Sequence, residues 1–337
     1  MAGRLLKDVV IAGGGVMGMS TAFNLTKFTH PSKICMLEPD PTYVRSASAL
    51  SWASIRQQFS LAENIKLSQS SIKFIKDIDQ YLRVQGEEDA IDINYKHGSY
   101  LFLAREETAH LLEENIAVQK EANVKVHNKT TNDTLTLHYN KFVNATGIHA
   151  KFTNNLLNEV LPSDSKFDLP VTPQRNFTFN IACKDGPANL PLTLCPLKTV
   201  IRSEGPNYIV KSSVGTLTDN QEELEDFGDV DDANFVEDIW ENLAYRIPAF
   251  EATKILGGWV GYYEYNTLDQ NALIGRHPAV ADHYFINGFS GHGIQQSPAA
   301  GQCLAEIMCG VEPHLDIAAL SLERVVENKP YRERNIL

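Results

Sequence analysis

The chain has 337 residues, 43% of them hydrophobic, and a formal net charge of −12. That much apolar material builds a large core, most simply in two domains, yet no apolar run approaches the ~20 residues that span a bilayer. The acidic balance argues against nucleic acid or anionic lipid as a general partner, since both are polyanions.

The first predicted element is a strand, Leu6 to Ala12, in "LKDVVIAGGGVMGMSTAFNLTKF". Basic residues ahead of an apolar stretch outline a signal peptide. Asp8 breaks that run and glycines follow at once, so a buried strand and loop is the better reading, with no presequence before it. Gly13-Gly14-Gly15-Val16-Met17-Gly18 then fits G-x-G-x-x-G and opens a helix. The first glycine of that pattern makes a tight turn and the second lets a pyrophosphate approach the backbone. The third packs helix on strand, and the helix N-terminus faces the phosphate charge. A second strand, "KICMLEPD", ends in Glu38, about 20 residues past Gly18 and placed to accept from a ribose hydroxyl. The acid favours an unphosphorylated adenosine ribose, which leaves NAD or FAD.

"RSASALSWASIRQQFS" follows, dense in small and hydroxyl residues, with Arg45 and Ser46 as further donors to a pyrophosphate. A typical NAD domain would instead continue with another βαβ unit. "HGSYLFLA" is a strand candidate, Glu106 to Ala122 a helix candidate, and "NVKVHNKTTNDTLTLHYN" a polar hairpin-like stretch. "KFVNATGIHA" is a strand running into a small-residue turn at Gly147. "QRNFTFNIA", "KTVIRSE" and "NYIVKSS" read as antiparallel strands, the last two joined at Gly205-Pro206. "DNQEELEDFGDVDD" is an acidic surface loop, "DANFVEDIWENLAYRIP" a helix stopped near Pro248, and "WVGYYEY" a returning strand. In "INGFSGHGIQQSPAAGQCLAEIM" an apolar strand meets Gly288, Gly291 and Gly293 around His292, and a helix begins directly after. Glycine permits close backbone approach and a helix start offers unpaired N–H groups, so this turn is a second place for something to lie. The five cysteines form no C-x-x-C pair, which reads as reduced thiols in an intracellular compartment with no metal site.

The glycine loop with Glu38, the Ala145-Thr146-Gly147 turn and the G-F-S-G-H-G turn together resemble the D-amino-acid oxidase and sarcosine oxidase superfamily of FAD enzymes. "LSWASIRQQFSLAENIKLS" and "RIPAFEATKILGGWVGYYEYNTLDQNALIGRHP" resemble a branch of it associated with assembly of mitochondrial respiratory complex I. The resemblance implies an α/β fold: a discontinuous Rossmann-like FAD-binding domain (1–80, 138–165, 264–337) with an inserted α+β substrate domain (81–137, 166–263) on a mixed antiparallel sheet. It implies that a segment of the usual fold is missing near 123–140, where relatives carry a long helix and a strand that touches the adenine. Expected cofactor contacts are Gly13, Gly14, Gly15, Met17, Gly18, Glu38, Arg45, Ser46, Gly147, Gly291, His292, Gly293 and Ile294.

Family enzymes oxidise a C–N bond beside a carboxylate. Arg56 is then a candidate clamp for that carboxylate, with a surface position or a flavin contact as alternatives. Tyr262 and Tyr263 shape the pocket or simply pack, and the charge of His292 tunes the ring or the imidazole only ties the turn. Some relatives attach FAD through a cysteine where Tyr262 stands here, so the FAD is expected to be noncovalent. A small amine or amino-acid substrate, complex I subunits or assembly factors as partners, and a mitochondrial location complete what the resemblance implies.

Overall fold

The computed structural model describes residues 5–40, 42–87, 89–96, 100–102, 137–218, 224, 230 and 232–333. In chain order the elements begin with β1 (Leu5–Ala12), α1 (Val16–Leu25), β2 (Ile34–Leu37), α2 (Ala62–Lys76), β3 (Tyr100–Phe102), β4 (Leu137–Asn144) and α3 (Ala150–Val160). There follow β5 (Val171–Ala182), β6 (Leu192–Cys195), β7 (Thr199–Glu204), β8 (Asn207–Ser212) and β9 (Thr216–Leu217). Further along come α4 (Glu241–Arg246), β10 (Lys254–Asn266), β11 (Leu273–Arg276), β12 (His283–Asn287) and α5 (Gly293–Met308), with a short helical turn at Glu323–Val326 after them. The helix expected at Glu106–Ala122, the polar stretch up to 136 and most of the acidic loop lie outside the described residues.

Two compact units divide the chain: Met1–Arg83 with Ile116–Pro173 and Tyr263–Ile336, and Val84–Asn115 with Gln174–Tyr262. The fold is α/β, and the first unit is built from separated pieces of sequence. Among the described residues its sheet has five strands in the order β11-β12-β4-β1-β2. β1 lies between two parallel neighbours, and Val9, Val10 and Ile11 are all buried, as β-branched residues of a doubly covered strand should be. Ala12 of β1 is level with Asn144 of β4, and Asn144 with Phe285 of β12. Three parallel strands therefore finish at one edge of the sheet, and each runs into a glycine-containing turn with a helix start beyond it. In open α/β sheets that carboxyl edge is where ligands bind.

Helices α1 and α5 pack tightly because small residues face each other. A Cβ on Gly301 would lie 2.4 Å from the Ser20 hydroxyl, and that hydroxyl donates to the Pro298 carbonyl at 3.2 Å. Pro298 has no N–H, so the Ile294 carbonyl loses its helical donor, and the Ser297 hydroxyl donates to it instead at 3.4 Å. α2 was not expected from sequence, and its N-cap position, Leu61, provides no side-chain cap. The cap comes from far along the chain. Glu333 accepts from Ser60 N–H at 2.7 Å, Leu61 N–H at 3.2 Å and the Asn64 amide at 3.1 Å, placing a carboxylate at a helix N-terminus, where it is stabilising. A buried ion pair fixes the loop after β10: Arg324 Nε donates to Asp269 Oδ2 at 2.7 Å, and its Nη2 also reaches the Asn271 and Ala272 carbonyls.

In the second unit the sheet runs β10-β5-β8-β7-β6-β3, with β9 beside β5. It is mixed: β6–β7, β7–β8 and β5–β8 are antiparallel, while β3–β6 is parallel. Phe179, Ile181, Val210, Phe235, Ile239, Leu243 and Phe250 form its core. The helix expected across 232–248 is broken by a wide π turn at Val236–Trp240 before α4, and it stops ahead of Pro248 as expected.

Candidate functional site

The glycines of the first turn do separate jobs. Gly13 has φ +100°, and a Cβ there would lie 2.1 Å from the Ala145 carbonyl oxygen, so β1 and β4 can end side by side only with glycine. A Cβ on Gly14 would meet the Tyr43 hydroxyl at 2.7 Å and Glu38 at 2.9 Å. On Gly18 it would meet the Gly13 carbonyl at 1.9 Å, so helix and turn could not close. Gly15 is different, because the nearest atom to its Cβ would be the Ser48 hydroxyl at 3.8 Å. Gly15 is also the N-cap of α1, with no side chain capping the helix. The open space and the uncapped N–H groups form an anion cradle that a side chain would fill.

Glu38 holds the wall of that cradle. Gly14 N–H donates to its Oε2 at 2.8 Å and Asp40 N–H to its Oε1 at 3.0 Å. Ser46 caps the next turn, accepting from Ala49 N–H at 3.1 Å, while Arg45 is exposed and near Asp40, whose carboxyl sits below the usual carboxylate range chiefly because Thr42 hydrogen-bonds to it. Ser48 went unnoticed in the sequence reading; only its position across Gly15 marks it. Gly147 has φ +57° with open space around its Cβ position, at the end of β4.

The turn before α5 reaches the same place from the other side. Gly288 and Gly291 have φ of +73° and +92°, which excludes ordinary side chains there. A Cβ on Gly291 would touch the Tyr263 ring at 2.9 Å, and one on Gly293 would lie 3.0 Å from Met17 Cε. The starts of α1 and α5 thus meet at Met17 and Gly293. Ile294 is buried in the first turn of α5, and that helix too lacks a side-chain cap.

Beside this turn Arg56 and His292 form one unit. Arg56 is buried, with 2% of its surface exposed, so it is not a surface arginine. Its Nη2 lies 3.1 Å from His292 Nε2, its Nη1 donates to the Gln58 carbonyl at 2.9 Å, and its own N–H donates to Gln295 Oε1 at 2.8 Å. Phe59 lies under the guanidinium at 4.3 Å and edge-on to the imidazole at 5.0 Å. A guanidinium only donates, so His292 Nε2 accepts and the ring carries its proton on Nδ1. In this arrangement Arg56 supplies the charge and His292 is the neutral partner.

Tyr262 and Tyr263 alternate along β10 and point to opposite faces. Tyr263 meets Gly291, whereas Tyr262 is buried, with 2% exposed. The residue that sequence reasoning passed over is Glu264. Gly288 N–H donates to its Oε2 at 3.1 Å and Ser290 N–H to its carbonyl at 3.2 Å, which stitches β10 to the glycine turn. Burial pushes the Glu264 carboxyl up to about 7, with the backbone N–H groups of Gly288 and Phe289 partly opposing the rise. An acid inside the tyrosine run "YYEYN" was the available signal.

A profile of the FAD-dependent oxidoreductase family, DAO, matches residues 8–129 and 112–307. The chain belongs to this family. FAD-dependent oxidoreductase domain-containing protein 1 of Xenopus laevis is 32% identical over 98% of this chain and 85% of its own. The Bos taurus protein of the same name is 31% identical over 93% of this chain and 83% of its own. Among solved structures, L-proline dehydrogenase from P. horikoshii has a TM-score of 0.74 at 18% identity, over 97% of this chain and 100% of that one. Glycine oxidase from Geobacillus kaustophilus has a TM-score of 0.68 at 17% identity, over 95% and 99%. These likenesses show a shared fold. The Xenopus alignment runs over 428 positions against 337 residues here, leaving at least 91 without a counterpart in this chain. The two matched pieces of the family profile meet at 112–129, overlapping the place near 123–140 where the sequence reading put the missing segment. Among the described residues no strand pairs with the outer edge of β2, and Leu37 on it is 39% exposed.

For this DAO-family chain the cofactor is FAD, and the cradle fits it. Gly15 and the start of α1 would take the pyrophosphate, Glu38 the ribose, and the Gly288–Gly293 turn with the start of α5 the ring system. Bound there, FAD would supply two-electron redox chemistry. The chain contributes unpaired N–H groups at two helix starts, a buried cation at Arg56 and, at Glu264, a carboxyl able to hold or release a proton near neutral pH.

Proposed function

We propose that this chain binds FAD noncovalently and acts as an oxidoreductase on a small amine or amino acid. The observation that carries the reading is the meeting of two uncapped helix starts at Met17 and Gly293, with the buried Arg56–His292 pair beside the second. A developing negative charge near the α5 start would be stabilised by those N–H groups. The fixed guanidinium of Arg56 would favour a substrate carrying a carboxylate. Noncovalent attachment is supported by Tyr262 standing where some relatives carry the attaching cysteine; no cysteine occurs between Cys195 and Cys303. The test is an absorbance spectrum of the purified protein, then anaerobic addition of candidate amino acids and N-methyl amino acids. Bleaching of the flavin by one of them is the expected result. A bound flavin that none of them reduces would sink the enzyme reading, and yellow colour remaining with acid-precipitated protein would sink noncovalent attachment.

A second reading is favoured by the shortfall of at least 91 positions relative to the Xenopus protein. In it the flavin fold serves as an assembly factor for mitochondrial respiratory complex I, with complex I subunits or other assembly factors as partners, as the sequence resemblance implies. This reading expects a mitochondrial location and co-purification with complex I intermediates. Cell fractionation that finds the protein only outside mitochondria would remove it. Among the described residues no helix is long and apolar enough to cross a membrane.

A further inference from the structure

The last turns of α5 carry a cluster that the flavin site does not use. Cys303 and Glu306 are three residues apart on one helix face. Gly310, with φ +71°, turns the chain back so that His314 returns to the same face. His314 Nδ1 lies 2.9 Å from Glu306 Oε2 and 3.7 Å from Cys303 Sγ, and all three ligating atoms fall within 4.8 Å of one another. In a tetrahedral zinc site, bonds of about 2.0–2.3 Å put neighbouring ligand atoms roughly 3.3–3.7 Å apart. The cluster is within a few tenths of an ångström of that spacing at the two measured edges.

We propose that Cys303, Glu306 and His314 form a binding site for a zinc-class divalent cation, distinct from the flavin site. The donor set is one sulfur, one imidazole nitrogen and one carboxylate oxygen, which suits a borderline cation better than calcium or magnesium. The outer partners that orient such ligands are already in place. His314 Nε2 lies 3.1 Å from the Ser70 hydroxyl of α2, leaving Nδ1 as the ligating nitrogen. Glu306 Oε1 accepts from the Gln302 amide at 2.8 Å, and Oε2 accepts from His314 N–H at 2.8 Å. Cys303 is fully buried and Glu306 nearly so, while 27% of the His314 side chain is exposed. That exposed side gives a cation a path in from solvent. Lys27 is the nearby positive charge acting on Glu306, and it weakens the site without entering it. Ten residues of helix separate Cys303 from Gly293, about 15 Å, so the two sites are at opposite ends of α5. A bound cation would tie α5, the return after it and, through Ser70, α2 into one rigid piece.

The test is cobalt titration of chelator-treated, otherwise intact protein, read as a difference spectrum so that flavin absorbance cancels. The expected result is one equivalent bound, a thiolate-to-cobalt charge-transfer band, and loss of the band on adding zinc. Cys303→Ser should abolish the band and His314→Gln should weaken binding at least about tenfold, while Cys309→Ala should leave both unchanged. His314 is partly exposed, so that variant keeps the fold if Cys303→Ser does not. No charge-transfer band, a band that survives Cys303→Ser, or one that Cys309→Ala removes would each overturn the site.

Discussion

Glu264→Gln tests whether the carboxyl beside the glycine turn is held against its own ionisation. Burial raises it from 4.5 to about 7 even though Gly288 N–H donates to Oε2 at 3.1 Å. Because the folded value is raised, the stabilising contribution is fully present below about 4.5 and disappears as pH rises through about 7. A shift of that size corresponds to about 3 kcal/mol at 1.36 kcal/mol per pKa unit. The side chain keeps some contact with solvent, so screening reduces the expected value to roughly 1–3 kcal/mol. Glutamine keeps an oxygen to accept from Gly288 and carries no charge at any pH. The variant should therefore match wild type near pH 5 and exceed it by roughly 1–3 kcal/mol near pH 8. Urea unfolding of both proteins across that range, followed by tryptophan fluorescence, measures the difference. A difference that does not change with pH, or a variant less stable than wild type near pH 8, would refute the reasoning.

Gly15→Val should leave the fold nearly unchanged, since apart from its chain neighbours the nearest atom to the new Cβ is the Ser48 hydroxyl at 3.8 Å, but bound flavin should fall at least about tenfold, the equivalent of ~1.4 kcal/mol; full flavin content in the purified variant would refute the cradle. Gly18→Ala behaves oppositely, because its Cβ would sit 1.9 Å from the Gly13 carbonyl. It should lower unfolding stability by about 1–3 kcal/mol, and an unchanged urea midpoint would contradict the packing described. Arg324→Met leaves Asp269 buried without its cation and should cost about 3–5 kcal/mol, and adding Asp269→Leu should recover little of that in the same unfolding assay, because the Asn266 amide and the Asn271 and Tyr331 N–H groups would lose their acceptor. Inserting the Xenopus relative's extra segment near 123 should raise flavin affinity and melting temperature, and equal values for the two proteins would show the short form to be sufficient.

The chain's own order of residues determined a good deal of this. Gly13 and Gly18 were readable because a tight turn and a helix–strand contact each exclude a side chain locally, while Gly15 and Glu38 were marked by the spacing of a dinucleotide pattern. The same logic carried Gly147, Gly288 and Gly291. Strand and helix positions followed from short-range pattern, and where a local signal was lacking, as at α2, the element was missed. Its cap, Glu333, stands 273 residues from Ser60, and no local rule connects them.

Only the tertiary structure decided the rest. Arg56 and His292 are 236 residues apart, and their pairing is what makes the imidazole a neutral acceptor. Glu264 looks like any strand acid until packing strips most of the water from around it and lifts its carboxyl toward neutrality. Cys303, Glu306 and His314 match no spacing rule, because a helix turn and a glycine-permitted reversal bring them together. Backbone conformation is set over a few residues and leaves its mark in sequence. Desolvation, tautomer and the meeting of side chains depend on which distant segments fold against each other, and a single sequence does not record that.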